Sequence, residues 1–91
     1  MKERLVLAIF GSVQGVFFRL ETQTRARALS LTGWVRNEPD GSLLVVAEGE
    51  KERLGELLGW AKNGPTLAKI ERIRVEWLPA TGEFTDFEIR Y

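Results

Sequence analysis

The sequence predicts an α+β fold in which two helices cover one face of an antiparallel sheet. Strand-like and helix-like patterns follow one another in the order β-α-β-β-α-β, with a short strand-like piece at the end. The connections are short, no internal repeat is present, and a chain of 91 residues fits one domain. We therefore expect a single domain over residues 1–91.

The first strand and the first helix are predicted by their apolar patterns. Residues Leu5–Phe10 form an unbroken apolar run, which is typical of a central strand buried on both faces. Glu21 and Arg25 are four residues apart on the outer side of the following helix, so we expect them to form an ion pair. The inward positions of this helix recur at helical spacing and are Phe18, Thr22, Ala26 and Leu29.

A hairpin and a second helix follow. Strands at 34–38 and 43–47 flank Pro39-Asp40-Gly41, which is a strong turn signal. The second helix is predicted to begin at Gly49. Its inward stripe is Leu54, Leu57, Leu58 and Ala61.

Strict alternation predicts the last two strands and completes the topology. The alternating sets are Ile73, Val75 and Trp77, and then Phe87, Ile89 and Tyr91. Two right-handed crossovers around the hairpin give a split βαβ, ferredoxin-like sandwich with a short C-terminal strand added. In this arrangement the first strand and the 34–38 strand run parallel, so we expect the loop at 11–18 to lie beside Asn37.

Composition excludes several classes of chemistry. The chain has no cysteine and no histidine, which rules out disulfides, thiolate zinc sites, Cys or His nucleophiles and Ser-His-Asp relays. Thirteen basic and thirteen acidic residues give a net charge of zero, which argues against a general nucleic-acid or membrane-surface binder. The apolar start is too short for a signal peptide, so we expect a soluble cytoplasmic protein. The scarcity of thermolabile residues is also typical of thermophilic proteins.

The loop between the first strand and the first helix is the best candidate for a binding site. The segment from Gly11 to Phe18 leads into a helix start, where free backbone N–H groups and the helix dipole favour a phosphate or carboxylate. Arg19 lies in the first helical turn and can add bidentate, charge-assisted hydrogen bonds. From spacing alone, the simpler interpretation is that the glycines turn the chain and Arg19 is solvated.

Two separated blocks of the sequence closely resemble the acylphosphatase family. The block Gly11-x-Val13-Gln14-Gly15-Val16-x-Phe18-Arg19 is similar to the family pattern G-x-V-Q-G-V-x-F-R, and Gly33-Trp34-Val35-x-Asn37 is similar to G-W-V-x-N. Asp40-Gly41, the Gly64-Pro65 turn and the closing Phe87-x-Ile89-x-Tyr91 also resemble the family. The resemblance therefore covers essentially the whole chain.

The resemblance implies metal-independent hydrolysis of the carboxyl-phosphate bond of small acyl phosphates, which gives a carboxylate and inorganic phosphate. It assigns phosphate binding to Arg19 and positioning of the attacking water to Asn37. It implies no cofactor, nucleic acid or membrane partner, and we expect a monomer that inorganic phosphate inhibits competitively. The phosphate cradle implied by the resemblance consists of the backbone N–H groups of Gln14, Gly15, Val16, Phe17 and Phe18.

Several of these residues have simpler structural interpretations. Without the resemblance, Asn37 is most simply a residue that caps the Pro39-Asp40-Gly41 turn through its side chain. Packing in the sheet or anchoring of the loop in the core is the simplest role for Trp34, Val35, Phe17 and Phe18.

Two positions depart from the usual family pattern. Ser12 stands where members often have a larger, frequently basic residue, and Glu38 stands where many have a small polar one. Strand alternation turns Glu38 away from Asn37, so we expect only modest repulsion of a bound anion. Both departures bear on efficiency more than on the activity itself.

Two functions of other kinds stay open. An open sheet face can bind single-stranded RNA by stacking bases on aromatic side chains, and here that face is expected to carry Trp34, Arg36, Arg72 and Arg74. Alternatively, the chain is an acylphosphatase-like module that serves a larger carbamoyl-transfer or maturation machine and uses the same cradle for carbamoyl phosphate.

Overall fold

The computed structural model describes residues 1–91 and contains a five-stranded sheet with two helices. The strands are β1 (Lys2–Ser12), β2 (Thr32–Asn37), β3 (Leu43–Glu50), β4 (Lys69–Pro79) and β5 (Phe87–Arg90), and the helices are α1 (Phe18–Ala28) and α2 (Lys51–Ala61). The elements follow one another in the order that the sequence predicts.

The sheet has the strand order β4-β1-β3-β2-β5. β3 is antiparallel to both β1 and β2, so β1 and β2 run parallel to each other on either side of it. β4 forms one edge antiparallel to β1, whereas β5 forms the other edge parallel to β2 and makes the sheet mixed. The ferredoxin-like α+β fold is confirmed, with the short C-terminal strand placed beside β2.

The core lies between the sheet and the two helices. From β1 it includes Leu5, Leu7 and Ile9, which alternate along the strand and are fully buried. The helices contribute Phe18, Thr22 and Ala26 from α1 and Leu54, Leu57 and Ala61 from α2. Each large apolar side chain buried here stabilises the fold by about 1.5–3 kcal/mol, so the predicted inward stripes are what hold the helices on the sheet.

Two local predictions are wrong. The second helix begins at Lys51 instead of Gly49, because Gly49 pairs with Glu3 of β1 and continues β3 as an extended strand. The ion pair between Glu21 and Arg25 is not formed. The guanidinium carbon of Arg25 instead lies 4.9 Å from the ring centroid of Trp60, on α2, in a cation–π contact.

The pairing of β1 with β4 is irregular at Gly11, because Glu71 of β4 is an extra residue opposite the junction of Phe10 and Gly11. The register between β1 and β4 shifts between Phe10 and Gly11, and Gly11 has a φ of 134°. A Cβ atom at this position would lie only 2.1 Å from the carbonyl oxygen of Lys69. Strand packing alone therefore requires the first glycine of the loop block, whatever the loop binds.

A buried carboxylate holds the connection between β4 and β5. The side chain of Glu48 is only 5% exposed, and it accepts hydrogen bonds from Arg4 Nε at 2.7 Å and from the backbone N–H groups of Thr81 and Gly82 at 2.9 and 3.0 Å. Burial raises the pKa of Glu48, but the bonds from Thr81, Arg4 and Gly82 outweigh it and lower the pKa below its usual value. Glu48 therefore fixes the segment that leads into β5.

Replacing this carboxylate should destabilise the fold at neutral pH. At pH 7 we expect Glu48→Gln to lower the free energy of unfolding by about 2 kcal/mol, because two N–H groups and Arg4 lose a charged acceptor. The folded pKa lies below the usual value of 4.5, so this contribution is present above about pH 4.5 and lost as the pH falls through the folded pKa. Urea unfolding at pH 7 and pH 3 measures both effects.

The matched control for this change is Glu76→Gln, because Glu76 is an exposed carboxylate on β4 that forms no ion pair. The free energy of unfolding of the Glu76→Gln variant should equal that of the wild type at both pH values. Equal stability of Glu48→Gln and wild type at pH 7 would contradict the role given to Glu48.

Candidate active site

A cavity of about 350 Å³ lies at the edge of the sheet where β1 and β2 end, on either side of β3. One wall is the β1–α1 loop with the first turn of α1, and the other is Asn37 at the end of β2 with Ile89 and Tyr91 of the β5 segment. The structure thus brings the loop and Asn37 together, as the parallel course of the two strands implies.

The loop backbone has the conformation of an anion-binding nest. Gly15 and Phe17 have φ values of 76° and 63°, and Val16 between them has a negative φ, so successive N–H groups point to the same side. Residues 14–17 donate no backbone hydrogen bond within the protein, and the first helical bond runs from Glu21 N–H to the carbonyl of Phe17. The N–H groups of residues 18–20 precede that bond and have no acceptor within α1.

Arg19 adds the positive charge of the site. It is half-buried in the first turn of α1 and forms no ion pair with any carboxylate. Its guanidinium carbon lies 4.9 Å from the ring centroid of Tyr91. Stacking on this ring orients the guanidinium and leaves its N–H groups free for an anion.

Asn37 presents a hydrogen-bond acceptor that no protein group uses. Its Oδ1 atom is inaccessible to bulk solvent and has no hydrogen-bond partner, although an unsatisfied buried acceptor costs about 1–3 kcal/mol. The turn-capping interpretation of Asn37 is wrong, because Asp40 caps that turn. Asp40 Oδ1 accepts hydrogen bonds from the N–H and hydroxyl of Ser42 at 2.9 and 2.6 Å.

The side chain of Gln14 has a function that the sequence did not reveal. Its Nε2 atom donates hydrogen bonds to the carbonyl oxygens of Glu38 and Ser42, at 2.9 and 3.0 Å. These bonds join the loop to the β2–β3 turn directly after Asn37. The sequence resemblance pointed only to the backbone N–H of Gln14, and no local pattern marks a contact across 24 residues.

Two neighbouring phenylalanines in the loop have opposite environments. Phe18 is buried and packs edge-on against Trp60, with ring centroids 5.4 Å apart, as expected. Phe17 was expected to anchor the loop in the core, but it is 69% exposed. The left-handed backbone conformation of Phe17 at the start of α1 turns its side chain outward.

The predicted site residues divide into two groups. Five of them line the cavity, namely Gly15, Phe17, Phe18, Arg19 and Asn37. Gln14 and Val16 do not line it. Val16 packs against the core. Glu38 turns away and pairs with Arg36 at 3.2 Å, as strand alternation predicts. The sequence analysis did not predict the contact between Tyr91 and Arg19.

No group of three or more carboxylates, histidines or cysteines comes together in a way that could hold a metal ion. Neither helix is long and apolar enough to cross a membrane. The arrangement is that of an anion-binding site built from backbone N–H groups and one guanidinium group on a ferredoxin-like sheet.

Comparison with known proteins gives the family. The family model described as Acylphosphatase matches residues 5–89. An acylphosphatase of Marinobacter nauticus is 51% identical over 81 residues, which are 89% of this chain and 88% of that protein. The crystal structure of acylphosphatase from Bacillus subtilis aligns with a TM-score of 0.93 and 33% identity over 100% of both chains. The chain belongs to the acylphosphatase family.

It is therefore an acylphosphatase, an enzyme that hydrolyses acyl phosphates. The same fold also occurs within a larger protein, full-length HypF in its phosphate- and nucleotide-bound form. That structure aligns with a TM-score of 0.92 and 30% identity, and the alignment covers 100% of this chain but 12% of HypF.

The two hydrogen bonds from the Gln14 side chain, here called the Gln14 tie, can be tested by substituting an apolar residue of similar size. We expect Gln14→Leu to weaken binding of inorganic phosphate by about ten- to thirtyfold, because the two lost hydrogen bonds each contribute up to about 1 kcal/mol to holding the loop. Isothermal titration with phosphate measures the affinity, and circular dichroism checks that the fold is retained. Ser12→Ala, in the same loop region without a side-chain hydrogen bond, should bind phosphate like the wild type. Unchanged affinity in Gln14→Leu would contradict the tie.

Proposed function

We propose that this enzyme hydrolyses the carboxyl-phosphate bond of small acyl phosphates without a metal ion. In this proposal the phosphoryl group is held by Arg19 and by the backbone N–H groups of residues 14–18, and Asn37 positions the attacking water. The observation that supports it most directly is that donors without acceptors and an acceptor without a donor meet at one cavity.

The phosphoryl group is bound by donors that are already in place. The nest at residues 15–17 and the start of α1 direct N–H groups and the positive end of the helix dipole at one point. The guanidinium of Arg19 can bind two oxygens of a phosphate at once, and Tyr91 restricts its orientation. Donors fixed before the reaction stabilise the charge on the equatorial oxygens without reorganisation.

The water attacks in line with the bond that breaks. The side chain of Asn37, which lines the cavity, hydrogen-bonds the water and directs its oxygen at phosphorus. A new P–O bond forms, the bond to the carboxyl oxygen breaks with its electron pair, and the carboxylate leaves. A proton of the water passes to a phosphate oxygen. Because a carboxylate is a good leaving group, no strong base is needed.

The remaining expectations fit this mechanism. We also propose a monomer, and a cytoplasmic location for a chain without disulfides. RNA binding on the open face is less well supported, because the ring of Trp34 is occupied. The guanidinium carbons of Arg36 and Arg90 lie 4.8 and 4.9 Å from its centroid.

The first prediction from this mechanism concerns metal ions. We expect purified enzyme to hydrolyse benzoyl phosphate at the same rate with and without EDTA, because Arg19 and backbone N–H groups supply the charge stabilisation. The measurement is the absorbance of benzoyl phosphate after extensive dialysis against the chelator. Activity that returns only on addition of Mg²⁺ or Zn²⁺ would overturn the metal-free mechanism.

The second prediction separates the roles of Arg19 and Asn37. Arg19→Ala should weaken phosphate binding at least tenfold and lower kcat/KM at least about a hundredfold, because a charge-assisted bond is lost in both ground and transition states. Asn37→Ala should leave phosphate binding nearly intact and lower kcat about a hundredfold or more.

Matched variants control for general effects of removing these side chains. Arg74→Ala removes an exposed guanidinium without a hydrogen bond, and Asn63→Ala removes the other asparagine of the chain. Stability of Asn37→Ala should change by about 1 kcal/mol or less, because the lost oxygen has no partner. Near-normal kcat in folded Asn37→Ala would contradict its role in positioning water.

A further inference from the structure

We propose that the exposed apolar side chains of Phe17, Leu20 and Tyr91, here called the apolar rim, bind the acyl group of the substrate. The enzyme should therefore prefer acyl phosphates with aromatic or branched apolar acyl groups over acetyl phosphate and over acyl groups that carry a second carboxylate. This inference rests on the proposed function and adds a substrate class to it.

The apolar rim forms the outer part of the same cavity. Phe17 is 69% exposed, Leu20 is 52% exposed and Tyr91 is 95% exposed, and all three line the cavity. The deeper lining includes Val13 and Phe18, which are each 1% exposed, and the solvent-inaccessible Oδ1 of Asn37. The cavity thus has a depth axis, with the polar acceptor at its inner end and apolar side chains at its mouth.

The reaction geometry places the acyl group at the mouth. In-line displacement requires the leaving carboxylate on the side of the phosphorus atom opposite to the attacking water. If the water is held by the Asn37 side chain at the inner end of the cavity, the leaving group must face outward. The first protein surface that it meets there is the apolar rim.

The exposure of Phe17 and Leu20 has no explanation in the folding of the chain. Phe17 has a φ of 63°, a left-handed conformation that costs about 1–2 kcal/mol for a residue other than glycine, and it presents its ring to solvent. Leu20 projects from the outer side of α1, away from the core stripe. Binding of an apolar ligand group would bury the apolar surface of these two side chains, which the fold leaves exposed to water.

Charge gives the proposal its selectivity. Arg19 is the only charged side chain that lines the cavity, and the proposed mechanism uses it for the phosphoryl group. A second carboxylate on the acyl group would therefore meet no cation at the apolar rim and would lose its hydration. The continuous contact from Arg19 to the Tyr91 ring joins the phosphate site directly to the apolar surface.

The experiment measures kcat/KM for acetyl, isobutyryl, benzoyl and succinyl phosphate, each divided by its uncatalysed hydrolysis rate. We expect benzoyl and isobutyryl phosphate to exceed acetyl phosphate by about tenfold or more, the low end of discrimination by an apolar pocket. The double variant Phe17→Asn/Leu20→Gln should reduce this ratio toward one. Asparagine tolerates the left-handed conformation and glutamine maintains the helix, so the backbone is preserved.

The control is Leu67→Gln, because Leu67 is 70% exposed but does not line the cavity. It should retain both the wild-type ratio and the wild-type inhibition constant for inorganic phosphate. If the double variant fails to fold, competition in the wild type decides instead: phenylphosphonate should inhibit about tenfold more strongly than methylphosphonate.

The outcomes separate this inference from the proposed function. Two results would contradict acyl binding by the apolar rim and leave the proposed mechanism unaffected. One is hydrolysis of all four substrates with relative kcat/KM values near one, and the other is an unchanged preference in the double variant. Equal inhibition by the two phosphonates would overturn it in the same way. Failure to hydrolyse any acyl phosphate would overturn both.

Discussion

Two hydrogen bonds from the Gln14 side chain join the two halves of the proposed site. The anion-binding loop and Asn37 belong to different segments, and β3 separates the strands that carry them. Gln14 Nε2 crosses this gap to the carbonyls of Glu38 and Ser42 and so fixes the loop against the end of β2. Because an in-line attack loses efficiency when its groups are displaced by even an ångström, hydrogen bonds that fix the loop against the end of β2 matter for the proposed mechanism.

The opposite wall of the cavity depends on a contact at the far end of the sheet. Glu48 holds the backbone of Thr81 and Gly82, and this segment leads into β5. β5 is the edge strand that brings Tyr91 against Arg19. A buried carboxylate therefore contributes to the placement of Tyr91 beside the guanidinium that we propose to bind phosphate, and its stabilisation of the fold is lost in acid as it becomes protonated.

Much of the fold and part of the site could be predicted from sequence because they follow from periodic patterns. Alternation and helical spacing predicted the element order, and the parallel course of β1 and β2 placed Asn37 beside the loop. The wrong or missing predictions concern choices made by contacts far apart in sequence. Gly49 stays in β3 because it pairs with Glu3 of β1. No local sequence pattern predicts the hydrogen bonds of Gln14 or the contact of Tyr91 with Arg19.

The proposed site is maintained in a state that is locally unfavourable. The loop has N–H groups without acceptors, Asn37 has a buried oxygen without a donor, and Phe17 is left-handed and exposed. The buried oxygen of Asn37 and the left-handed backbone of Phe17 each cost about 1–3 kcal/mol, which the core of the sandwich must offset. In the proposed mechanism a bound phosphoryl group accepts hydrogen bonds from these N–H groups and the attacking water binds Asn37, whereas the backbone of Phe17 stays left-handed. The strain is therefore a form of preorganisation, and substitutions that relieve it by closing the loop on itself would stabilise the fold at the expense of catalysis.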